Sequence, residues 1–284
     1  ADIYGMNENQ IVVGNGAAEL LYAICRLPGY TGAFVPAPGF SEYKAALEAS
    51  RIPVRDIYYR PREDEHGKPY FEVPYLALET FAAELKGQDG RIIVFLGNPN
   101  NPDGTLLDKN HIRTIASMLK DANSLLVIDE SFIDFVGNDT LQDNEYSMRS
   151  LVNEFDNIIV VHSFTKFYAV PGLRIGAAFS NPLIIEQLNS FIPTWSVNTL
   201  AQSYTEAALN DVEYVKRTKQ VLHEEQLFMY NSLDTIDGIT IYPPSANFML
   251  FHIEQEGITA ESINEALKKY NMIVRNCDSY MGLN

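Results

Sequence analysis

Three short segments carry residue types suited to covalent and acid–base chemistry, and each follows an apolar run. After Ile92-Ile93-Val94-Phe95-Leu96 comes Gly97-Asn98-Pro99-Asn100-Asn101-Pro102-Asp103-Gly104. After Leu125 to Ile128 comes Asp129-Glu130-Ser131-Phe132. After Ile158 to Val161 comes His162-Ser163-Phe164-Thr165-Lys166, and Arg174 stands eight residues past the lysine. A lysine amine can add to a carbonyl carbon and carry a proton. A carboxylate can keep a proton on a basic nitrogen, and an arginine can grip an oxyanion. Each feature has an ordinary explanation when taken alone. Asn-Pro-Asp-Gly is a good turn sequence, a carboxylate at a strand end is commonly just solvated, and a lysine there is commonly a surface charge. In this order, at successive strand ends, chance accounts for them poorly. Open α/β sheets bind ligands along that edge.

The elements that must position these residues alternate in kind. Short β-branched runs are separated by longer helical patterns, the signature of a mostly parallel sheet with crossover helices. Ile11 to Val13 reads as a strand and leads through Gly14-Asn15-Gly16 into a helix beginning near Ala17. Gly32 to Val35 and Val54 to Tyr59 read as strands, with a helix over Ser41 to Ala49. Ile92 to Leu96 is wholly apolar, as befits a strand buried on both faces. Asp108 to Lys120 is an amphipathic helix with Asp108 as its N-cap. Leu125 to Ile128, Ile158 to Val161 and Gly176 to Phe179 are further strands, giving about seven before residue 180.

The pattern changes after Asn181-Pro182. Long helices run to Leu233, followed by strands at Ile239 to Tyr242 and Phe248 to Ile253, a helix around Glu261 to Tyr270, and a strand at Met272 to Val274. The expected division is a large α/β domain over residues 1–192 and a smaller α+β domain over 193–284. The chain opens on Ala1 rather than Met and stops shortly after that last strand, so both ends are expected to be incomplete.

The three segments together resemble the aminotransferase class I and II superfamily of fold-type I enzymes, which use pyridoxal 5'-phosphate (PLP). Asn98-Pro99-Asn100-Asn101-Pro102-Asp103-Gly104 is similar to that family's Asn-Pro-Asn-Asn-Pro-Thr-Gly loop. Ser163-x-x-Lys166 followed by Gly172-Leu173-Arg174-x-Gly176 is similar to its lysine signature. The resemblance implies an aspartate-aminotransferase-like fold, with a seven-stranded, mostly parallel sheet between helices. It implies that Lys166 forms a Schiff base with the cofactor aldehyde and then shuttles protons. Asp129 would pair with the pyridine nitrogen and keep it protonated, so that the ring accepts electrons. Asn101 would hydrogen-bond the ring oxygen, and Phe40 would stack on the ring. The phosphate would sit at the helix N-terminus after Gly16, on the amides of Ala17 and Ala18, with Ser163 and Arg174 completing its contacts.

Within the superfamily, four segments look like L-threonine-O-3-phosphate decarboxylases: Pro36 to Tyr43, Asp129 to Phe135, Ser163 to Arg174 and Pro193 to Asn198. Phe132 stands where many aminotransferases have a tyrosine that donates to the ring oxygen, and phenylalanine cannot donate. Histidinol-phosphate aminotransferases are the next most similar group. The resemblance implies a phosphorylated amino acid as substrate, with Arg275 part of the clamp that holds it, and a homodimer. His162, Tyr168 and Trp195 are expected to be packing residues, and Glu130 a supporting or solvated carboxylate.

Composition agrees with an enzyme on a small molecule. The 284 residues carry 21 basic and 37 acidic side chains, a net charge of −16. Such a surface repels nucleic acid and anionic membrane, so neither is expected as a partner. An anionic substrate needs a locally basic pocket set against that field. Two isolated cysteines, Cys25 and Cys277, make neither a disulfide framework nor a zinc site, and this suits a reducing cytoplasm. No metal is expected.

Overall fold

Along Ile93-Val94-Phe95-Leu96, successive side chains enter opposite apolar clusters. Ile93 and Phe95 belong to one, Val94 and Leu96 to the other. The same period of two runs through Leu125 to Ile128 and Ile158 to Val161. These segments bury both faces, so aliphatic side chains occupy every position and no alternation with polar residues is left to see.

The computed structural model describes residues 1–85, 90–137 and 144–283. Asn284, the last residue of the expected second domain, lies outside them. Strand β1 (Ile11–Gly14) leads into α1 (Gly16–Ile24), β2 (Tyr30–Ala37) into α2 (Glu42–Ala49), and β3 (Val54–Tyr58) follows. A hairpin of β4 (Arg60–Glu63) and β5 (Pro69–Glu72) precedes α3 (Tyr75–Glu84). Next come β6 (Arg91–Gly97), α4 (Lys109–Asp121), β7 (Leu125–Asp129), β8 (Ile158–Ser163), the one-turn α5 (Phe164–Phe167) and β9 (Gly176–Phe179). The remainder holds α6 (Pro182–Phe191), α7 (Thr199–Leu209), α8 (Val212–Leu233), β10 (Ile239–Ile241), β11 (Phe251–Ile253) and α9 (Ala260–Leu267).

The main sheet has seven strands in the order β1-β9-β8-β7-β6-β2-β3. Strands β3, β2, β6, β7 and β8 pair in parallel. Strand β9 is reversed, pairing antiparallel with both β8 and β1. The expected α/β class, strand count and mostly parallel sheet are therefore present. Residues of α1, α2 and α6 fill one face, and residues of α3 and α4 the other. Parallel pairing brings the ends of β6, β7 and β8 to one edge, so Gly97, Asp129 and Ser163 end neighbouring strands. Helix α4 begins where expected: the Asp108 carboxylate accepts from the Asn110 and His111 amides at 2.9 and 3.0 Å.

Three expectations change. The hairpin β4–β5 and helix α3 carry no counterpart in the sequence reading, because Arg60-Pro61-Arg62-Glu63 is exposed throughout and shows no apolar face. Met272 to Val274 is not a strand. Its backbone is claimed by a side chain instead, with Asn264 accepting from the Val274 amide and donating to its carbonyl, both at 2.8 Å. Trp195 is not packed but 93% exposed, at φ +61°. Among the described residues, no helix is long and apolar enough to cross a membrane.

Candidate active site

The edge formed by β6, β7 and β8 opens into a cleft lined by Phe40, Tyr43, Pro99, Asn101, Asp129, Ser131, Phe132 and Lys166. Four of the residues singled out by sequence, Phe40, Asn101, Asp129 and Lys166, come together here from segments up to 126 positions apart.

Lys166 sits in the single turn of α5, directly after β8. Its Nζ donates to Ser163 Oγ at 3.3 Å, and Ser163 Oγ also shares a hydrogen bond with Thr165 Oγ1 at 2.8 Å. The amine lies 5.6 Å from the centre of the Phe132 ring. Burial lowers the lysine's pKa from its ordinary value, and Arg174 lowers it further, while Asp129 opposes the shift. The outcome is an amine held closer to its neutral, nucleophilic form.

Asp129 ends β7, buried on the face that carries Phe95 and Tyr43. One of its oxygens accepts from the Ser131 amide at 2.9 Å, the other from the Tyr43 hydroxyl at 2.9 Å. Glu130, the next residue, turns to the opposite face. It is fully buried, and it accepts from the Ser147 hydroxyl at 2.7 Å, the Met148 amide at 2.5 Å and Asn98 Nδ2 at 3.3 Å. It is a supporting carboxylate, not a solvated one, and burial raises its pKa. His162 is packed as expected, with Nε2 3.0 Å from Asp134 Oδ2.

The loop after β6 is braced from within. Asn98 N donates to the Asp129 carbonyl at 2.8 Å, and Asn98 Oδ1 accepts from the Leu107 amide at 3.1 Å. Asn100 Nδ2 donates to the Pro38 carbonyl at 3.0 Å and to Asp103. Asn101 Oδ1 accepts from the Tyr280 hydroxyl at 3.3 Å, which turns its Nδ2 donor to the remaining space.

Asp103 is buried in this loop, and desolvation raises its pKa to about 6, outweighing its bonds to Thr105 and Asn100. The folded state thus holds this proton more tightly than the unfolded chain. Stability from this group is complete below the ordinary carboxylate pKa and is lost as pH rises through about 6. We expect the stability difference between wild type and Asp103→Asn to fall by about 2–3 kcal/mol from pH 4 to pH 7. Urea unfolding of both proteins at several pH values measures it, and parallel profiles would refute the assignment.

Outside the residues that line the cleft, Arg174, whose charge reaches Lys166, meets the start of α1 at Gly16, with φ +80°. The Asn15 side chain does not cap this helix, and the Glu19 carboxylate accepts only from the Asn15 amide, at 2.6 Å, which leaves the amides after it for another acceptor. The Arg174 guanidinium lies over Gly16 so closely that a Cβ there would come 2.5 Å from Nη2. A Cβ on Gly176 would come 2.6 Å from the Ala17 amide. Glycine at both positions lets an arginine and a bare helix N-terminus converge, an arrangement suited to a phosphate. With the lysine, the carboxylate and the aromatic wall of the cleft, the residues present fit PLP. Arg275 is exposed on the C-terminal segment and does not line the cleft, although its charge lowers the pKa of Tyr280, which burial raises.

Tyr43 and Tyr280 were not singled out by the sequence reading. Tyr43 carried a signal in hindsight, because it stands three residues after Phe40, in the first turn of the helix that follows it. Tyr280 carried none.

The fold and this cleft together define a PLP-dependent enzyme. The chain belongs to the aminotransferase class I and II family, whose profile matches residues 1–281. It is 33% identical over 281 residues to the adenosylcobalamin biosynthesis bifunctional protein CobDQ of Leptospira interrogans, covering 99% of this chain and 30% of that protein. It is 31% identical to the threonine-phosphate decarboxylase of Salmonella typhimurium, covering 96% of this chain and 70% of that one. Among solved structures, the histidinol-phosphate aminotransferase of Clostridium acetobutylicum superposes with a TM-score of 0.83 at 24% identity, over 97% of this chain and 76% of that one.

Proposed function

We propose that this chain catalyses the decarboxylation of L-threonine O-3-phosphate to (R)-1-amino-2-propanol O-2-phosphate and CO2. The observation that carries the proposal is the run from Phe167 to Arg174 taken with Phe132, which follows the decarboxylase pattern. The 31% identity to the Salmonella decarboxylase supports it.

Bound PLP supplies an electron sink for the pair released when a Cα bond breaks. The protein's own groups do the rest. Lys166 would hold the cofactor covalently and, as a free amine, would return a proton to Cα in place of CO2. Asp129 keeps the ring nitrogen protonated. Asn101 Nδ2 donates to the ring oxygen, for which Phe132 offers no donor. Phe40 covers one face of the ring. Arg174, Ser163 and the amides of Gly16, Ala17 and Ala18 take the phosphate. Arg275 belongs to the substrate clamp. Which Cα bond breaks depends on which is held perpendicular to the ring, so the clamp decides between decarboxylation and transamination. In this reading residues 1–192 form the PLP-binding domain and 193–284 the smaller one, and the enzyme is a homodimer. Trp195 and Leu200, 93% and 75% exposed, are apolar groups an interface would cover.

The alternative is a histidinol-phosphate-type or aromatic aminotransferase using 2-oxoglutarate, favoured by histidinol-phosphate aminotransferases 28% identical over nearly the whole chain. The deciding assay supplies the full-length protein with PLP and L-threonine O-3-phosphate, with and without 2-oxoglutarate. CO2 release and a new phosphorus resonance without the keto acid are expected. Turnover that requires 2-oxoglutarate and yields glutamate would replace the proposal with the alternative.

A further inference from the structure

The carboxylate of Asp129 has a partner for which the reaction assigns no part. Tyr43 lies in the first turn of α2, and its hydroxyl donates to Asp129 Oδ2 at 2.9 Å. Both side chains are buried. The Tyr43 ring is stacked on Phe95 at 5.2 Å with an interplanar angle of 18°, and meets the Phe40 ring edge-on at 5.7 Å and 88°. A tyrosine clamped between two rings, in a buried site, has little freedom to turn its hydroxyl elsewhere. The same side chain therefore braces the residue proposed to cover the cofactor ring and the residue proposed to hold its nitrogen.

We propose that Tyr43 is a positioning residue of the PLP site, fixing the orientation of Asp129 and its share of the proton on the ring nitrogen. The Ser131 amide holds one carboxylate oxygen and Tyr43 the other, so the carboxylate plane is set from both sides. A donor on each oxygen favours a carboxylate that keeps its charge toward the ring nitrogen. The proton between carboxylate and ring nitrogen then stays on the nitrogen, where the chemistry needs it. Burial and the Asp129 charge raise the Tyr43 pKa well above its ordinary value, so the hydroxyl remains a donor throughout the working range. The charged or titratable groups facing this pair are Lys166, whose charge couples to Asp129 and Arg174, and Tyr59, which couples to Tyr43.

The inference rests on the role proposed for Asp129, but not on the choice of substrate, because its test needs none. Tyr43→Phe removes the hydroxyl and keeps the ring. In the full-length holoenzyme we expect PLP to dissociate about tenfold more readily, the equivalent of one charge-assisted hydrogen bond. The pH at which the Lys166-linked chromophore changes its absorbance should rise by about one unit, because a carboxylate no longer oriented by Tyr43 is less well placed to keep the proton on the ring. Tyr43→His, which keeps an N–H donor, should recover part of that shift, and it carries the test if the phenylalanine variant does not fold. In an Asp129→Asn background Tyr43→Phe should add nothing further. A purely structural Tyr43 would lower the melting temperature of the apoprotein and leave affinity and titration unchanged, overturning the inference. If Asp129→Asn itself leaves the titration unmoved, the Asp129 role is what fails.

Discussion

Lys166→Ala loses turnover by about 10⁴-fold or more, the scale seen when a covalent catalytic group is removed. Two functions leave with one side chain. No covalent link to the cofactor can form, and no amine remains to move a proton at Cα. The surroundings are built for this amine: burial and Arg174 hold it toward the neutral form, and Ser163 Oγ fixes it at 3.3 Å. Lys166→Arg should not restore activity, since a guanidinium stays charged and cannot add to an aldehyde. Loss of the lysine-bound cofactor absorbance, together with single-turnover rates, checks the result. Partial rescue by a small primary amine would separate the proton-carrying function from attachment. Retention of more than a hundredth of wild-type turnover would remove Lys166 from the mechanism.

Asp129→Asn should cost about 10²- to 10³-fold in kcat/KM, typical of removing one preorganised electrostatic contact. Asparagine keeps the size of the side chain; its single oxygen can accept from the Ser131 amide while its Nδ2 donates to the Tyr43 oxygen, so the fold is expected to survive. It cannot carry the negative charge that keeps a ring nitrogen protonated. The two effects can therefore be told apart: far-ultraviolet circular dichroism should be unchanged while the rate collapses. Asp129→Ala should be worse in stability, because it leaves the buried Tyr43 hydroxyl without its acceptor, a loss of about 1–3 kcal/mol. Equal rates for wild type and Asp129→Asn would contradict the proposed role.

Much of this site was legible in the sequence because it lies at strand ends. Ile92 to Leu96, Leu125 to Ile128 and Ile158 to Val161 are apolar at every position, and such runs stand out. Lys166, Asp129 and Asn101 follow them directly. The Gly16 turn was legible for the same reason, as a glycine between a strand and a helix. Contacts between distant segments were not. Tyr43 and Asp129 are 86 positions apart, and Tyr280 and Asn101 179 apart. Local pattern does not encode which pairs meet. The β4–β5 hairpin was missed because its strands are largely solvated and carry no apolar rhythm. Met272 to Val274 misled in the opposite sense: its residues favour a strand, but Asn264 takes the backbone groups a neighbouring strand would need. Trp195 misled through residue type alone, since a large apolar side chain is usually covered.

Asp129 and Glu130 are chemically near twins, and only the pleat of β7 decides which one meets the cleft and which one meets Asn98, Ser147 and Met148. Side chains along a strand swap faces at every step, so sliding β7 by one residue would bring Glu130 to the place of Asp129 and Ser131 to the place of Glu130. The longer carboxylate would then crowd the Tyr43 hydroxyl, and the three donors would lose theirs. A slip of β7 by one residue is for this reason costly at the site. The exposed turn between Glu63 and Pro69 carries no such parity. It is the place where an engineer could splice in a tag or a reporter, and where natural drift in length would pass unnoticed by the chemistry.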